Sequence, residues 1–372
     1  MTLKSPHTTV LIIPTGIGAA MGGYAGDALP IARTVASVTD RLITHPNVLN
    51  GAQLYWPMDN ACYVEGYGLD QFAAGHWRLR PVYQNPIGLV IDKGVEDELR
   101  SRHLQAADAA RATLGLDVRS SIITDQPLGI TLKTTESGSS WGTLANPGSL
   151  LRAVERLIIE TKVRAIAVVA RFPDDPGSEG LDNYRKGKGV DPLAGVEAVI
   201  SHLVVRTFKL PCAHAPALSP LPLDPNISPR SAAEEIGYTF LSCVLAGLSR
   251  APQFLSEASG PLGHTTGNAI GPMTGDISSA EVDAVIVPAT AFGGSAVMSL
   301  AQSAAQVIAV GENQTTMAVK AEDLGIRAIA VDTYLEAVGA IAAYRAGVSL
   351  AALRPQILNL SQVPNSPLGN VR

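Results

Sequence analysis

The chain predicts an α/β fold: Rossmann-like, mostly parallel sheets with helices on both faces, in two units. Three observations carry this. From Val282 onward, short apolar runs at Val285 to Val287, Gln306 to Val310 and Arg327 to Val331 alternate with helix-forming stretches. Strands joined through helices pair in parallel with right-handed crossovers. Near the start, the β-branched run Thr9 to Ile13 (TVLII) passes into a glycine-rich loop and then a helix. The composition, 46% hydrophobic and 16% charged over 372 residues, supplies a core for two units or for one large domain with an insertion. The boundaries fall at residues 1–250 for an N-terminal unit, 251–281 for a Gly/Ser/Pro linker carrying His264, and 282–372 for a C-terminal βα unit.

Pro14 closes the first strand. Gly16, Gly18, Gly22, Gly23 and Gly26 follow, and Asp27 is placed to cap a helix running to about Asp40. A strand, a glycine loop and a helix together can present backbone N–H groups to an anion. The spacing is not G-x-G-x-x-G, and no acid stands well placed after a second strand, which disfavours a nicotinamide dinucleotide. The competing reading is that these glycines serve only a tight turn and close packing.

Residues 43–86 are irregular and crowd Asn47, Asn50, Asp59, Asn60, Glu65 and Asp70. Such loops either bind ligands or spend their polar groups on turns. Ile87 to Asp92 reads as a strand and Glu96 to Leu114 as a long helix. Strands follow at Ser121 to Thr124 and Gly129 to Thr134, then a turn-rich connection over 136–147. A helix over Ser149 to Lys162 and a buried strand over Arg164 to Ala170 complete this half.

That strand delivers the chain into its most polar stretch. Tyr184, Arg185, Lys186 and Lys188 stand beside glycines and fit a flexible clamp on a carboxylate or phosphate, or else a solvated loop. Asp191 to Ile200 reads as a helix with Asp191 as cap, Glu197 on it and His202 just past its end. Val204 to Leu210 reads as a strand, and in the extended chain beyond Pro211 the side chains of Cys212 and His214 share one face. Three readings stay open for Cys212, His214, His202 and Glu197: a thiolate or acid–base centre, a metal site, or a buried cysteine with hydrogen-bonded histidines. Ser228-Pro229 opens a helix to about Leu248, with Ser231 and Glu234 as a capping box and Cys243 in the core. In the C-terminal unit, the turns at Pro288 to Gly294 and Gly311 to Thr316 put Gly293, Gly294, Asn313 and Thr315 at strand ends, with helices expected from Ser295 and from Thr316. Ligands in open parallel sheets bind beyond the carboxyl ends of the strands.

The formal net charge of −5 and the lack of a long basic run exclude generic nucleic-acid binding. Three scattered cysteines argue for a reducing compartment. No apolar run approaches a membrane span, so a cytoplasmic, non-membrane protein is expected. Sparse charge favours homo-oligomers. The expected function is an enzyme of hydrolase, lyase or transferase type acting on a small anionic or amide-bearing metabolite. The alternative is a non-catalytic metabolite sensor. A divalent metal stays open as cofactor.

The runs PTGIGAAMGGYAGDA, THPNVLN, VEGYGLD, YRKGKGVDPLAGVEAVISH and PCAHAPAL together resemble an uncharacterised family defined only as a domain of unknown function and associated with photosynthetic bacteria and plastids. The resemblance covers most of the chain. It implies one shared pocket and supplies no reaction.

Overall fold

The computed structural model describes residues 5–360, apart from 53, 55, 137, 175–178, 238 and 257–272. His264 therefore lies outside the described residues. The chain opens with β1 (Thr8–Leu11), α1 (Leu29–Ala36), β2 (Arg41–Thr44), α2 (Pro46–Leu49), β3 (Ala61–Tyr63) and α3 (Gly66–Ala73). Next come β4 (Trp77–Arg80), β5 (Ile87–Ile91), α4 (Asp97–Leu114), β6 (Val118–Ile123), β7 (Ile130–Thr134), β8 (Ser140–Leu144), α5 (Pro147–Thr161) and β9 (Ala165–Arg171). The polar stretch forms α6 (Glu179–Arg185), α7 (Ala194–Phe208) and β10 (Cys212–Ala217), followed by α8 (Ala232–Glu235), α9 (Leu241–Arg250) and β11 (Gln253–Ser256). The chain ends with β12 (Val282–Pro288), α10 (Ser295–Leu300), β13 (Gln306–Val310), β14 (Ile329–Val331) and α11 (Tyr334–Arg345).

Two parallel sheets organise these elements. The first has six strands in the order β14-β13-β12-β1-β2-β3, and the second has four in the order β10-β9-β5-β6. Counted within itself, the first sheet runs 3-2-1-4-5-6, the doubly wound order, with its switch point between β1 and β12. Its halves come from opposite ends of the chain, so the second sheet is nested inside the first. Strands β4 and β11, where the chain leaves for the second sheet and comes back from it, pair antiparallel and tie the base of the insertion together. Sheet membership thus divides the chain along a different line from the boundary read at 250 and 282. One hydrophobic core runs between the sheets, from Val10 and Ile43 to Val168 and Val205, and a further cluster backs each outer face.

Local readings changed where packing decided the outcome. Val204 to Leu210 is not a strand: α7 continues through it to Phe208, because Val196, Ile200, Val204 and Val205 bury one helical stripe. His202 therefore lies within the helix. No helix starts at Thr316, whose N–H and hydroxyl both bond the Ile17 carbonyl, at 2.7 and 3.1 Å, and lock this segment onto the loop after β1; only a 3-10 turn over Glu322–Leu324 precedes β14. The connection over 136–147 contains β8, which pairs with β7 as a hairpin. Asp27 caps nothing on α1; its Oδ1 accepts the Gly22 N–H at 2.7 Å.

The glycine loop is closely packed. Gly16, Gly18, Gly22 and Gly26 all have positive φ. At Gly22, φ is +84° and a Cβ would lie 2.5 Å from Ile13 Cγ2. Gly22→Ala should therefore cost about 1–3 kcal/mol of stability. Urea unfolding measures this, and an unchanged midpoint would refute the strain.

Candidate active site

A cavity of about 420 Å³ opens where the carboxyl ends of β1, β2 and β12 face α7 and the end of β10. The first sheet contributes Thr15 and Ala25 after β1, His45, Asn47 and Asn50 after β2, Glu65 and Asp70 after β3, and Gly294 to Val297 after β12. The insertion contributes Tyr184, Arg185, Asp191, Glu197, Ser201, His202, His214, Glu234 and Glu235. The second sheet's own switch point, between β5 and β9, is closed. The buried Asp92 carboxylate there accepts N–H groups from Gly94 and Leu128 at 2.9 Å and from Arg171 at 3.1 Å.

Two histidine–carboxylate pairs stand in the cavity wall. His202 Nε2 lies 3.0 Å from Glu65 Oε1. The other oxygen of Glu65 holds the N-terminus of α3, accepting from Tyr67 and Gly68 at 2.9 and 3.2 Å, so the carboxylate is fixed. Burial opposes charge on His202, but the hydrogen bond and charge of Glu65 and the charge of Asp70 outweigh it, and the imidazole's pKa is raised. His214 Nε2 lies 3.5 Å from Glu197 Oε2, and its Nδ1 lies 2.6 Å from Ser201 Oγ. A third ring, His45, accepts the Ile13 N–H on Nε2 at 3.0 Å. Burial pushes its pKa down to about 4, so it stays neutral with its proton on Nδ1.

Carboxyl groups dominate the remaining wall. Burial and the nearby Glu197 charge raise the pKa of Asp191 to about 8. Burial, then the Asp191 charge, raise that of Glu234 well above the carboxylate range. Glu234 Oε1 lies 2.7 Å from the Tyr184 hydroxyl, which also lies 3.2 Å from the Gly23 carbonyl. Tyr184 stacks on Tyr24 with ring centroids 4.6 Å apart.

The structure brings Tyr184, Arg185, Glu197, His202, His214 and Gly294 to this one cavity. The other sequence candidates lie outside its lining, and one that lines it is already engaged. Arg185 borders the cavity but is no free clamp: at 7% exposure it grips both Glu235 oxygens at 2.9 Å and the Pro222 carbonyl at 2.8 Å. Lys186 and Lys188 are exposed and outside the cavity. Cys212 is buried in the core, and burial drives its thiol pKa well above normal, against a thiolate role. Gly16, Gly18, Gly22 and Gly23 pack against protein atoms, and Gly293 against Met317. Asp27 is spent on Gly22 and Arg230. Asn313 clamps both backbone groups of Met21 and the Tyr334 hydroxyl, while Thr315 bonds Thr290. Both are braces. Among the described residues, no group of three or more His, Cys, Asp or Glu could hold a metal ion.

Sequence reasoning passed over Ser201 and His45, and took Asp191 and Glu234 as helix caps. Asp191 does accept the Leu193 N–H, at 2.8 Å, so its local role masked its place in the cavity. Glu65, Asp70, Asn47 and Asn50 were visible as a crowded polar loop but carried no signal of their own.

Residues 8–354 match the model of a family described as protein of unknown function (DUF3326). A relative from Synechococcus sp., named an uncharacterized lipoprotein, is 57% identical over 359 residues, covering 96% of each chain. That name points to membrane attachment of the relative and overturns the cytoplasmic expectation. Among the described residues, no helix is long and apolar enough to cross a membrane. No solved structure matches the chain.

Proposed function

This chain belongs to the DUF3326 family, and we propose that it is an acid–base enzyme acting on a small neutral or cationic metabolite, amide-bearing compounds included. The observation that carries the reading is the convergence of two histidine–carboxylate pairs, His202 with Glu65 and His214 with Glu197, on one cavity at the carboxyl ends of a parallel sheet. Glu65 orients the His202 ring and raises its proton affinity, which suits it to move protons near neutral pH. The charge balance speaks against an anionic substrate. Asp191 and Glu234 hold their protons near neutral pH, and among the described lining residues there is no lysine and the arginine is already paired with Glu235, so no free cation awaits an anion.

The test is a metabolite mixture incubated with the protein and followed by mass spectrometry. One neutral or cationic species should disappear, and His202→Gln should slow its loss by about 10²-fold or more. Glutamine keeps an N–H donor for the buried Glu65 carboxylate, so the variant should lose stability but stay folded, which circular dichroism checks. Thermal stabilisation by a species that is never consumed would mark a sensor instead.

A further inference from the structure

We propose that Ser201 is a nucleophile, with His214 as its base and Glu197 as the group that orients the base, and that the chain hydrolyses a neutral ester or amide through an acyl-serine. This rests on the acid–base reading of the same cavity. Three observations support it. Glu197 and Ser201 stand four residues apart on α7, so one helical turn puts them on one face. His214 reaches them from β10, with Nδ1 2.6 Å from Ser201 Oγ and Nε2 3.5 Å from Glu197 Oε2, and all three residues line the cavity. The third observation is how Ser201 spends its hydroxyl. The helical hydroxyls of Ser101, Thr113, Thr161 and Thr207 each donate to the carbonyl four residues back. Ser201 meets an imidazole instead, with the Cys212 thiol as its other side-chain neighbour.

The proton positions follow from the partners. An ionised Glu197 only accepts, so the ring proton facing it sits on Nε2. Nδ1 then carries the lone pair and receives the Ser201 O–H. This is the order of nucleophile, base and orienting acid that activates serine, with the two ring nitrogens exchanged relative to the usual arrangement. In the reaction, Ser201 Oγ bonds the acyl carbon and its proton passes to His214 Nδ1. The tetrahedral species collapses, the bond to the leaving alcohol or amine breaks, and that group takes the proton from Nδ1. A water then attacks the acyl-serine and gives a proton to Nδ1. The acid departs and the proton returns to Ser201. The buried, protonated-range thiol of Cys212 leaves serine as the nucleophile here.

Phenylmethanesulfonyl fluoride and p-nitrophenyl acetate test the proposal on the full chain. Peptide mapping of the wild-type protein should find one sulfonyl adduct, on Ser201. With p-nitrophenyl acetate a burst of about one nitrophenolate per chain should precede steady turnover. His214→Gln should slow labelling at least 100-fold, and Ser201→Ala should abolish both signals while the chain stays folded by circular dichroism. No adduct on Ser201, or equal labelling in His214→Gln, overturns the nucleophile. So does a metabolite consumed equally by wild type and Ser201→Ala, a result that leaves the acid–base reading standing.

Discussion

Arg185→Ala should lower the unfolding free energy by about 3–5 kcal/mol, the usual cost of removing one partner of a buried ion pair. Arg185 makes two parallel 2.9 Å bonds to Glu235 and a third to the Pro222 carbonyl. Its own carbonyl accepts from the Ser228 N–H at 2.9 Å and the Ser231 hydroxyl at 2.7 Å. The side chain therefore joins α6 to α8 and to the extended segment before it. Truncation leaves the Glu235 carboxylate, 18% exposed, without its counter-charge. Arg185→Met combined with Glu235→Gln should recover most of the loss, because no buried charge then stands alone. Urea unfolding of the single and double variants measures both effects. A loss below about 1 kcal/mol for Arg185→Ala would restore the exposed clamp expected from sequence.

That reversal shows what a linear reading sees. Arg185, Lys186 and Lys188 form one cationic cluster in sequence, yet the partner that neutralises Arg185 lies fifty positions later. Tyr184 and Glu234 are separated by the same distance. Charge pairing across the fold has no local signature. The strands did have one: short β-branched runs marked β1, β5, β9, β12 and β13, and the placing of loops at their carboxyl ends follows from parallel pairing. The nesting of one sheet inside the other had none, since it depends on β4 meeting β11 across the whole insertion. Helix α7 failed for a third reason. Its Val204-Val205 step looks like strand, and only its contact with the core chose the 3.6-residue period. His202 and His214 were legible as neighbours in sequence, whereas Glu65 and Ser201, which fix their orientation, were not.

Asp191→Asn should raise thermal stability at pH 8 and leave it nearly unchanged at pH 5. The Asp191 pKa is raised to about 8, first by burial and then by Glu197, and that of Glu234 is raised by burial and by Asp191. In the unfolded chain both titrate at about 4. Between those limits the folded state holds more protons than the unfolded one, so stability falls as pH rises, and it levels off once the protons have left. Asp27, raised to about 6 mainly by burial, adds to the same slope. His202 acts in the same direction: its raised pKa gives stability that is complete at low pH and lost as pH climbs through the folded value. Asp40, Asp174 and Asp276, whose pKa values are lowered, oppose this only in acid, where their stabilisation is lost as pH falls through their folded pKa values. His7, His45 and His103, whose pKa values burial lowers, oppose it below the ordinary imidazole value of about 6.5, so the fall in stability with rising pH is read above that value. Asparagine keeps the acceptor for the Leu193 N–H but cannot ionise, so it removes the Asp191 share of the slope. Calorimetry from pH 5 to pH 8 reads the difference, and an identical slope in the variant would mean that Asp191 ionises normally. At neutral pH the same proton makes this carboxyl a hydrogen-bond donor beside Glu197. A ligand carbonyl entering the cavity would meet that donor, so binding should weaken as pH rises towards 8 in the wild type and hold steady in Asp191→Asn.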